Sequence, residues 1–499
     1  MKTHSLLDEV DFVVVGTGPG GATAAKVLSE AGHSVAMLEE GPSLDPRSRP
    51  TAMIPAMNDT FREAGTSVAH GAFPIPVIQG RLVGGGSAIN SGIIWRLPEH
   101  IVRHWKDEYG LGWLLEEEAL TRIYETIEED LGCAPTPREV LGGNSLALER
   151  GAKALGHEGH PTVRNTPGCT GAATCLQGCP SASRRSMDVS YVPRALKYGA
   201  RLHALCRVEK IHFEAGRAVG VSGHHVDAVT RRPTRPFEVR ARKGVVVSGG
   251  AVQTPVLLRR SGLGGLVGDR FQAHPGGPVL GRFEEPIRMV FGATQGYQVP
   301  FFEEGFKLES LSLPPEMLGA RLPGAGEAWQ ERLAHMDRYA QWAVMVRMRA
   351  MGTVRPGRTS ARIKYQPLPE DLERMRQGVV MASKMMFAAG AKEVYHGMAG
   401  RPEILRSADE VRLLEEGTVR PKDFHLVATH LFGTACAGSD PGRSVVSPTL
   451  EVHDRRGLHV MDASIFPTTV GVNPQHTIMA LCYRAAERLA EDAKVSRAA

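Results

Sequence analysis

The apolar run Phe12-Val13-Val14-Val15 ends abruptly on Gly16-Thr17-Gly18-Pro19-Gly20-Gly21, so the chain opens with a strand feeding a tight glycine turn. A helix of small residues follows, and a second strand, Ser34 to Leu38, ends at Glu39. The same order returns at Val245-Val246-Val247, where Ser248-Gly249-Gly250 leads into a helix through Leu258. Residues 96 to 160 carry helical spacing, with Leu114 to Leu131 dense in Glu and Leu. Between 280 and 424, short strand candidates such as Ala361 to Tyr365 alternate with a long helix from about Glu370 to Ala389. That helix buries Leu372, Met375, Val379, Ala382 and Met386 and stops at Gly390.

The first strand, turn and helix together form a dinucleotide cradle. Gly16 opens the turn, Gly18 lets backbone approach a pyrophosphate, Gly21 permits close helix packing, and the helix N-terminus offers unpaired N–H groups to phosphate. Glu39 lies eighteen residues past Gly21, where a carboxylate can hold a ribose hydroxyl pair. The cradle alone serves NAD and FAD equally.

At 499 residues the chain is long enough for two or three lobes. Its 42% hydrophobic and 23% charged content argues against wholesale disorder. The net charge of +5 is scattered, with no aromatic-laced basic stripe, which gives nucleic-acid binding no support. No apolar run approaches a membrane span, and Met1 to Val10 lacks the core of a secretory signal, so the expected address is cytoplasmic. The seven cysteines are an odd set for a disulfide framework and suit a reducing compartment.

A second glycine cluster, Gly80-Arg81-Leu82-Val83-Gly84-Gly85-Gly86-Ser87-Ala88-Ile89-Asn90-Ser91-Gly92, would let backbone approach a flat ring or a phosphate. The opening cradle, this cluster and Gly249 to Gly264, in that order, resemble the glucose-methanol-choline (GMC) oxidoreductases, a family of FAD-dependent alcohol oxidases and dehydrogenases. The resemblance implies FAD over NAD. It also implies an α/β fold with a Rossmann-like FAD-binding domain at 1–95, 165–280 and 425–499, and an inserted α+β cap and substrate-binding domain at 96–164 and 281–424. It places Glu39 on the adenosine ribose, Val208 against adenine, and Gly85, Ser87, Asn90, Ser91 and Gly92 along the flavin side.

The catalytic half is expected at the C-terminal end. Thr429-His430-Leu431-Phe432-Gly433-Thr434 resembles the family's active-site histidine segment. Asp462-Ala463-Ser464 and Gly471-Val472-Asn473-Pro474-Gln475-His476-Thr477 resemble its closing motif, which implies cofactor contacts at Asp462, Ala463, Asn473 and Thr477. Alcohol oxidation removes a hydroxyl proton as hydride leaves carbon, and a histidine facing the flavin can accept it, making His430 the candidate base. Asn473 before Pro474 reads as an N-cap, with a helix to about Ala490 aimed at the flavin. Many relatives carry a second histidine here, whereas sterol-oxidising members carry asparagine in this context. Asn473 is therefore the second catalytic candidate, and His476 is expected to point away.

Cys169, Cys175 and Cys179 form a C-x5-C-x3-C arrangement. Three thiolates on such a loop could bind a three-iron, four-sulfur cluster or one zinc, and the spacing resembles that of iron–sulfur-bearing FAD-dependent glucose dehydrogenases. Packing cysteines at a metal-free turn are the alternative. A cluster would favour a dehydrogenase with an electron-acceptor protein over an oxidase. Two further readings stay open: a hydroxynitrile-lyase-type enzyme with structural FAD, and an electron-relay subunit. The substrate is expected to be a small-molecule alcohol. Methionines and the region around Phe301, Phe302 and Phe306 lean toward an apolar one.

Overall fold

Two seven-stranded sheets organise the computed structural model, which describes residues 5–495. In the first, Ser5–Val15 pairs in parallel with Val35–Leu38 on one side and Pro233–Val247 on the other. Arg201–His203 and Leu458–Val460 extend the parallel set, and Arg217–Val226 with Cys206–Glu214 add an antiparallel edge. Phe12, Val13 and Val14 are fully buried, as expected for a strand covered on both faces. Helix Pro19–Glu30 and the C-terminal helix Gln475–Val495 pack against each other beside this sheet.

The second sheet runs Glu393–Tyr395, Gln272–Arg282, Tyr339–Val346, Phe306–Ser310, Tyr297–Phe301 and His160–Pro161, all antiparallel. Val427–Phe432 joins it by pairing with Gln272–Arg282. The long helix Pro369–Ala388 lies across this sheet and buries Leu372, Met375, Val379, Ala382 and Met386, the stripe its spacing predicted.

The lobes differ from the expected segments in two places. Helices Glu99–Tyr109 and Glu117–Leu131, expected in a cap, bury Ile101, Trp105, Ile123 and Ile127 in the core of the first sheet. The apolar stripe of Glu117–Leu131 packs on the C-terminal helix. Strands Gln272–Arg282 and Val427–Phe432, expected in the FAD-binding domain at 165–280 and 425–499, belong to the second sheet, because their ladder pairs His274 with His430. His430 is therefore carried by one sheet, while the loop bearing Asn473 leaves the other.

Candidate functional site

A cavity of about 1080 Å³ collects residues from both sheets. Gly16, Gly18, Glu39, Gly85, Ser87, Asn90, Ser91, Val208, Asp462, Ala463, Asn473 and His430 all line it. Gly21, Gly92 and Thr477 do not. A Cβ at Gly21 would stand 2.0 Å from the Gly16 carbonyl oxygen, so this residue seals the helix onto the turn behind the wall. Gly92 lies against Asn165, and Thr477 is buried within the C-terminal helix.

At one end, the Glu39 carboxylate accepts hydrogen bonds from the Thr17 backbone N–H (3.1 Å), the Thr17 hydroxyl (2.8 Å) and the Gly41 N–H (2.9 Å). Burial raises its pKa against these bonds. Next to it, burial would also raise Glu40, but Arg62 and Arg207 hold that carboxyl at about 2. A Cβ at Gly18 would meet no protein atom within 4 Å, so open space lies directly over the start of helix Pro19–Glu30. A glycine turn, a helix N-terminus and that space are what a pyrophosphate requires. Asp462 accepts from the Gly250 N–H (2.9 Å), the Ser464 N–H (2.7 Å) and the Thr254 hydroxyl, which ties the third glycine turn to the closing segment.

Two buried guanidiniums hold the second glycine loop from behind. Arg184 donates to the carbonyls of Ala88 (2.6 Å) and Asn90, and Arg164 donates to the Ser91 carbonyl at 2.8 Å. The three grouped cysteines surround these arginines. Arg164 contacts Cys175 Sγ at 3.3 Å and Cys169 Sγ at 4.0 Å, while Cys179 Sγ accepts from the Arg184 N–H at 3.3 Å. Burial would raise the Cys175 thiol, yet Arg164 and Arg184 bring it below its ordinary value. Among the described residues no three His, Cys, Asp or Glu side chains converge to hold a metal. Of the two readings of Cys169, Cys175 and Cys179, the iron–sulfur ligand set is not supported: the cationic side chain beside two of these sulfurs serves a loop carbonyl, and the arrangement does not fit a cluster.

The cavity is also lined by His430, Asn473 and Glu309, and behind them stands Lys307, which with Glu309 forms a pair of charges that the sequence did not single out. Lys307 Nζ donates to Glu309 Oε1 at 2.6 Å and to Asn473 Oδ1, and lies 5.6 Å from the centroid of the Trp95 ring. Gln295 donates to the other Glu309 oxygen at 2.8 Å. Lys307 and Glu309 are both essentially inaccessible, at 1% and 0%. They stand two apart in strand Phe306–Ser310 and so share a face. Burial lowers the Lys307 pKa and Glu309 opposes that shift. Desolvation first, and the Lys307 charge second, push His430 down to about 3. The imidazole is therefore neutral near pH 7. Its Nδ1 is buried without a partner, which leaves Nε2 open to the cavity.

The loop before the C-terminal helix is fastened to the second sheet by His274. Its Nε2 accepts from the Gly471 N–H at 3.1 Å, and its ring sits 5.7 Å from that of His430. Asn473 is not the N-cap expected of it. The first helical bond runs from the Ile478 N–H to the Pro474 carbonyl (2.9 Å), one residue later, and the Asn473 side chain turns to Lys307. Asn90 Nδ2 meets Gln475 at 2.7 Å, joining the second glycine loop to the first residue of that helix. His476 is buried against Tyr124, with ring centroids 4.5 Å apart, and does not line the cavity. Phe301, Phe302 and Phe306 do not line it either: Phe301 stacks on Phe306 in the second core, and the apolar lining comes from Met53, Met57, Leu313, Met317 and Met345.

Comparison with known proteins matches residues 57–276 and 347–482 to the two parts of the GMC oxidoreductase family profile, and residues 9–76 to an FAD-binding domain. An uncharacterised GMC-type oxidoreductase of Mycobacterium tuberculosis is 37% identical over 96% of this chain and 75% of its own length. A long-chain-alcohol oxidase of Arabidopsis thaliana is 26% identical over 95% of this chain and 68% of its own. The fold is similar to that of a formate oxidase of Aspergillus oryzae, with a TM-score of 0.75 at 16% identity, covering 98% of this chain and all of that one.

Proposed function

The chain belongs to the FAD-dependent GMC oxidoreductase family, and from that premise we propose that it oxidises an alcohol to a carbonyl compound, with His430 as the base. The observation that carries this reading is that His430 and Asn473 line the same cavity as the glycine cradle, with Lys307 bonded to Asn473 and its charge acting on His430. Gly16 and Gly18 with the N-terminus of helix Pro19–Glu30 would hold the FAD pyrophosphate, Glu39 the ribose and Val208 the adenine. Gly85, Ser87, Asn90 and Ser91 would lie along the isoalloxazine, with Asp462 and Ala463 at the third glycine turn. FAD, when bound, supplies the acceptor for the two electrons that leave the alcohol carbon.

The chain's own groups manage the proton and the oxygen. Neutral His430 presents Nε2 to the cavity and takes the hydroxyl proton as the carbonyl forms. Lys307 carries only donors, so it must face the oxygen of the Asn473 amide, which turns Nδ2 toward the cavity as a donor to the substrate oxygen. Negative charge developing on that oxygen is then met by a pre-aimed dipole. Methionine and leucine lining and the long-chain-alcohol oxidase relative support an apolar alcohol. A dehydrogenase is favoured over an oxidase only if the cysteines hold a cluster. The arginine-filled loop removes that support, so oxygen uptake during turnover decides the acceptor.

The test is anaerobic mixing of holoenzyme with a series of primary alcohols, read as bleaching of the flavin absorbance. His430→Ala should retain bound FAD and slow reduction by about 10²- to 10⁴-fold. Reduction by the best alcohol at the unmodified rate in that variant would remove His430 from the role. A flavin that no alcohol bleaches would favour the lyase reading.

A further inference from the structure

Most charged side chains on the cavity wall have an opposite charge or a backbone partner, and Arg321 is the exception on the substrate side. It follows helix Pro315–Gly319, beside Met317 and Ala320, and lines the cavity with Leu313, Met53 and His425. Arg321 is partly exposed; its Nη1 is buried without a hydrogen-bond partner among the described residues, and Nε and Nη2 are the nitrogens left accessible on the cavity wall. Among the described residues no carboxylate forms an ion pair with it. The nearest acid along the chain, Glu316, spends one oxygen on the Met53 N–H at 2.7 Å. Burial alone lowers the Arg321 pKa, and Arg321 in turn, after burial, lowers that of His425. A partly buried guanidinium without a counterion, facing an apolar cavity, is an arrangement that a bound anion complements.

We propose that Arg321 is a substrate-anchoring residue and that the alcohol oxidised here carries a carboxylate at its far end, as an ω-hydroxy acid does. The reasoning rests on the alcohol-oxidation reading and adds to it a second recognised group. His425 lies five residues before His430 on an extended segment, so at most about 18 Å of chain separates the base from the neighbourhood of Arg321. Methionine and leucine side chains line the cavity along which a substrate would lie. An aliphatic chain of medium length, hydroxyl at His430 and Asn473, carboxylate at Arg321, satisfies the base, the apolar wall and the unpaired cation together. A plain alkanol would satisfy the first two and leave the guanidinium bare.

The experiment uses holoenzyme and two pairs of probes. Calorimetric titration with decanoate and with 1-decanol reads the anion site without turnover. Anaerobic flavin reduction by 10-hydroxydecanoate and by 1-decanol reads it in the reaction. Arg321 makes no side-chain hydrogen bond among the described residues, so Arg321→Met should fold normally. It should bind decanoate at least about tenfold more weakly than the parent, with 1-decanol unchanged. The parent should favour 10-hydroxydecanoate over 1-decanol by a similar factor in kcat/KM. Arg321→Met should abolish that preference, and Arg321→Lys should restore part of it. Equal decanoate affinity in parent and Arg321→Met overturns the anion site, even if both alcohols bleach the flavin. Decanoate binding that depends on Arg321, with no bleaching by either alcohol, keeps the anion site and overturns the alcohol-oxidation reading instead.

Discussion

Lys307 fixes which end of the Asn473 amide faces the reacting oxygen, and this makes Asn473→Asp a sharper test than deletion. The aspartate keeps the contact with Lys307 as an ion pair, so the loop and the helix after it should hold their places. What is lost is the Nδ2 donor, replaced by a carboxylate oxygen that repels negative charge building on the substrate oxygen. Thermal stability should match the parent or exceed it, while anaerobic reduction falls by about 10²-fold or more. Reduction at the parent rate in a stable, FAD-replete Asn473→Asp protein would show that the amide does not touch the reacting oxygen. The same reasoning explains why the lysine and its glutamate occur as a pair. Either charge alone, fully buried beside an apolar wall, would cost several kcal/mol, whereas together they leave one ammonium donor for Asn473.

At the scale of elements, two glycines of one turn do different work, and alanine separates them. Gly18 has negative φ and an open cavity above it, so Gly18→Ala should fold with an unchanged melting temperature as apoprotein and lose flavin occupancy, measured by the absorbance ratio after purification. Gly21→Ala would press a methyl carbon to 2.0 Å from the Gly16 carbonyl oxygen and should destabilise the whole lobe by about 1–3 kcal/mol or more, read in denaturant melts. Equal effects of the two substitutions on occupancy and stability would mean that the turn is only a packing device. These turns were legible in the sequence because glycine spacing is a local, backbone-level signal that needs no knowledge of the partner strand. Lys307 and Glu309 were not. In Phe306–Ser310 they alternate with apolar residues, and on a strand that alternation ordinarily marks a solvated face. Only the packing of the second sheet against the closing loop turns that face inward. The cysteine spacing left a cluster and a metal-free turn both open for a related reason: Arg164 and Arg184, which claim the loop, lie at positions with no spacing rule of their own.

Across the whole molecule, the site forms where two separately built sheets meet, and buried neutral histidines mark the seam. His274 and His430 belong to the second sheet, and His476 lies under the first lobe's helices. Burial lowers all three, His476 to about 4. The unfolded chain titrates its histidines near 6.5, so between that value and the depressed folded value the unfolded state binds the extra proton, and stability must fall as the solution is acidified. His476 is the cleanest probe, because it is inaccessible, packs on Tyr124 and takes no part in the cavity. Going from about pH 7 to about pH 5 it should cost about 2 kcal/mol. His476→Phe keeps the ring contact and cannot be protonated. Its melting temperature should therefore decline less over that interval than the parent's, while anaerobic reduction proceeds at the parent rate. An identical acid-induced decline in both proteins would mean that His476 is not held neutral in the folded state, and a large loss of reduction would bring this side chain back into the catalytic site.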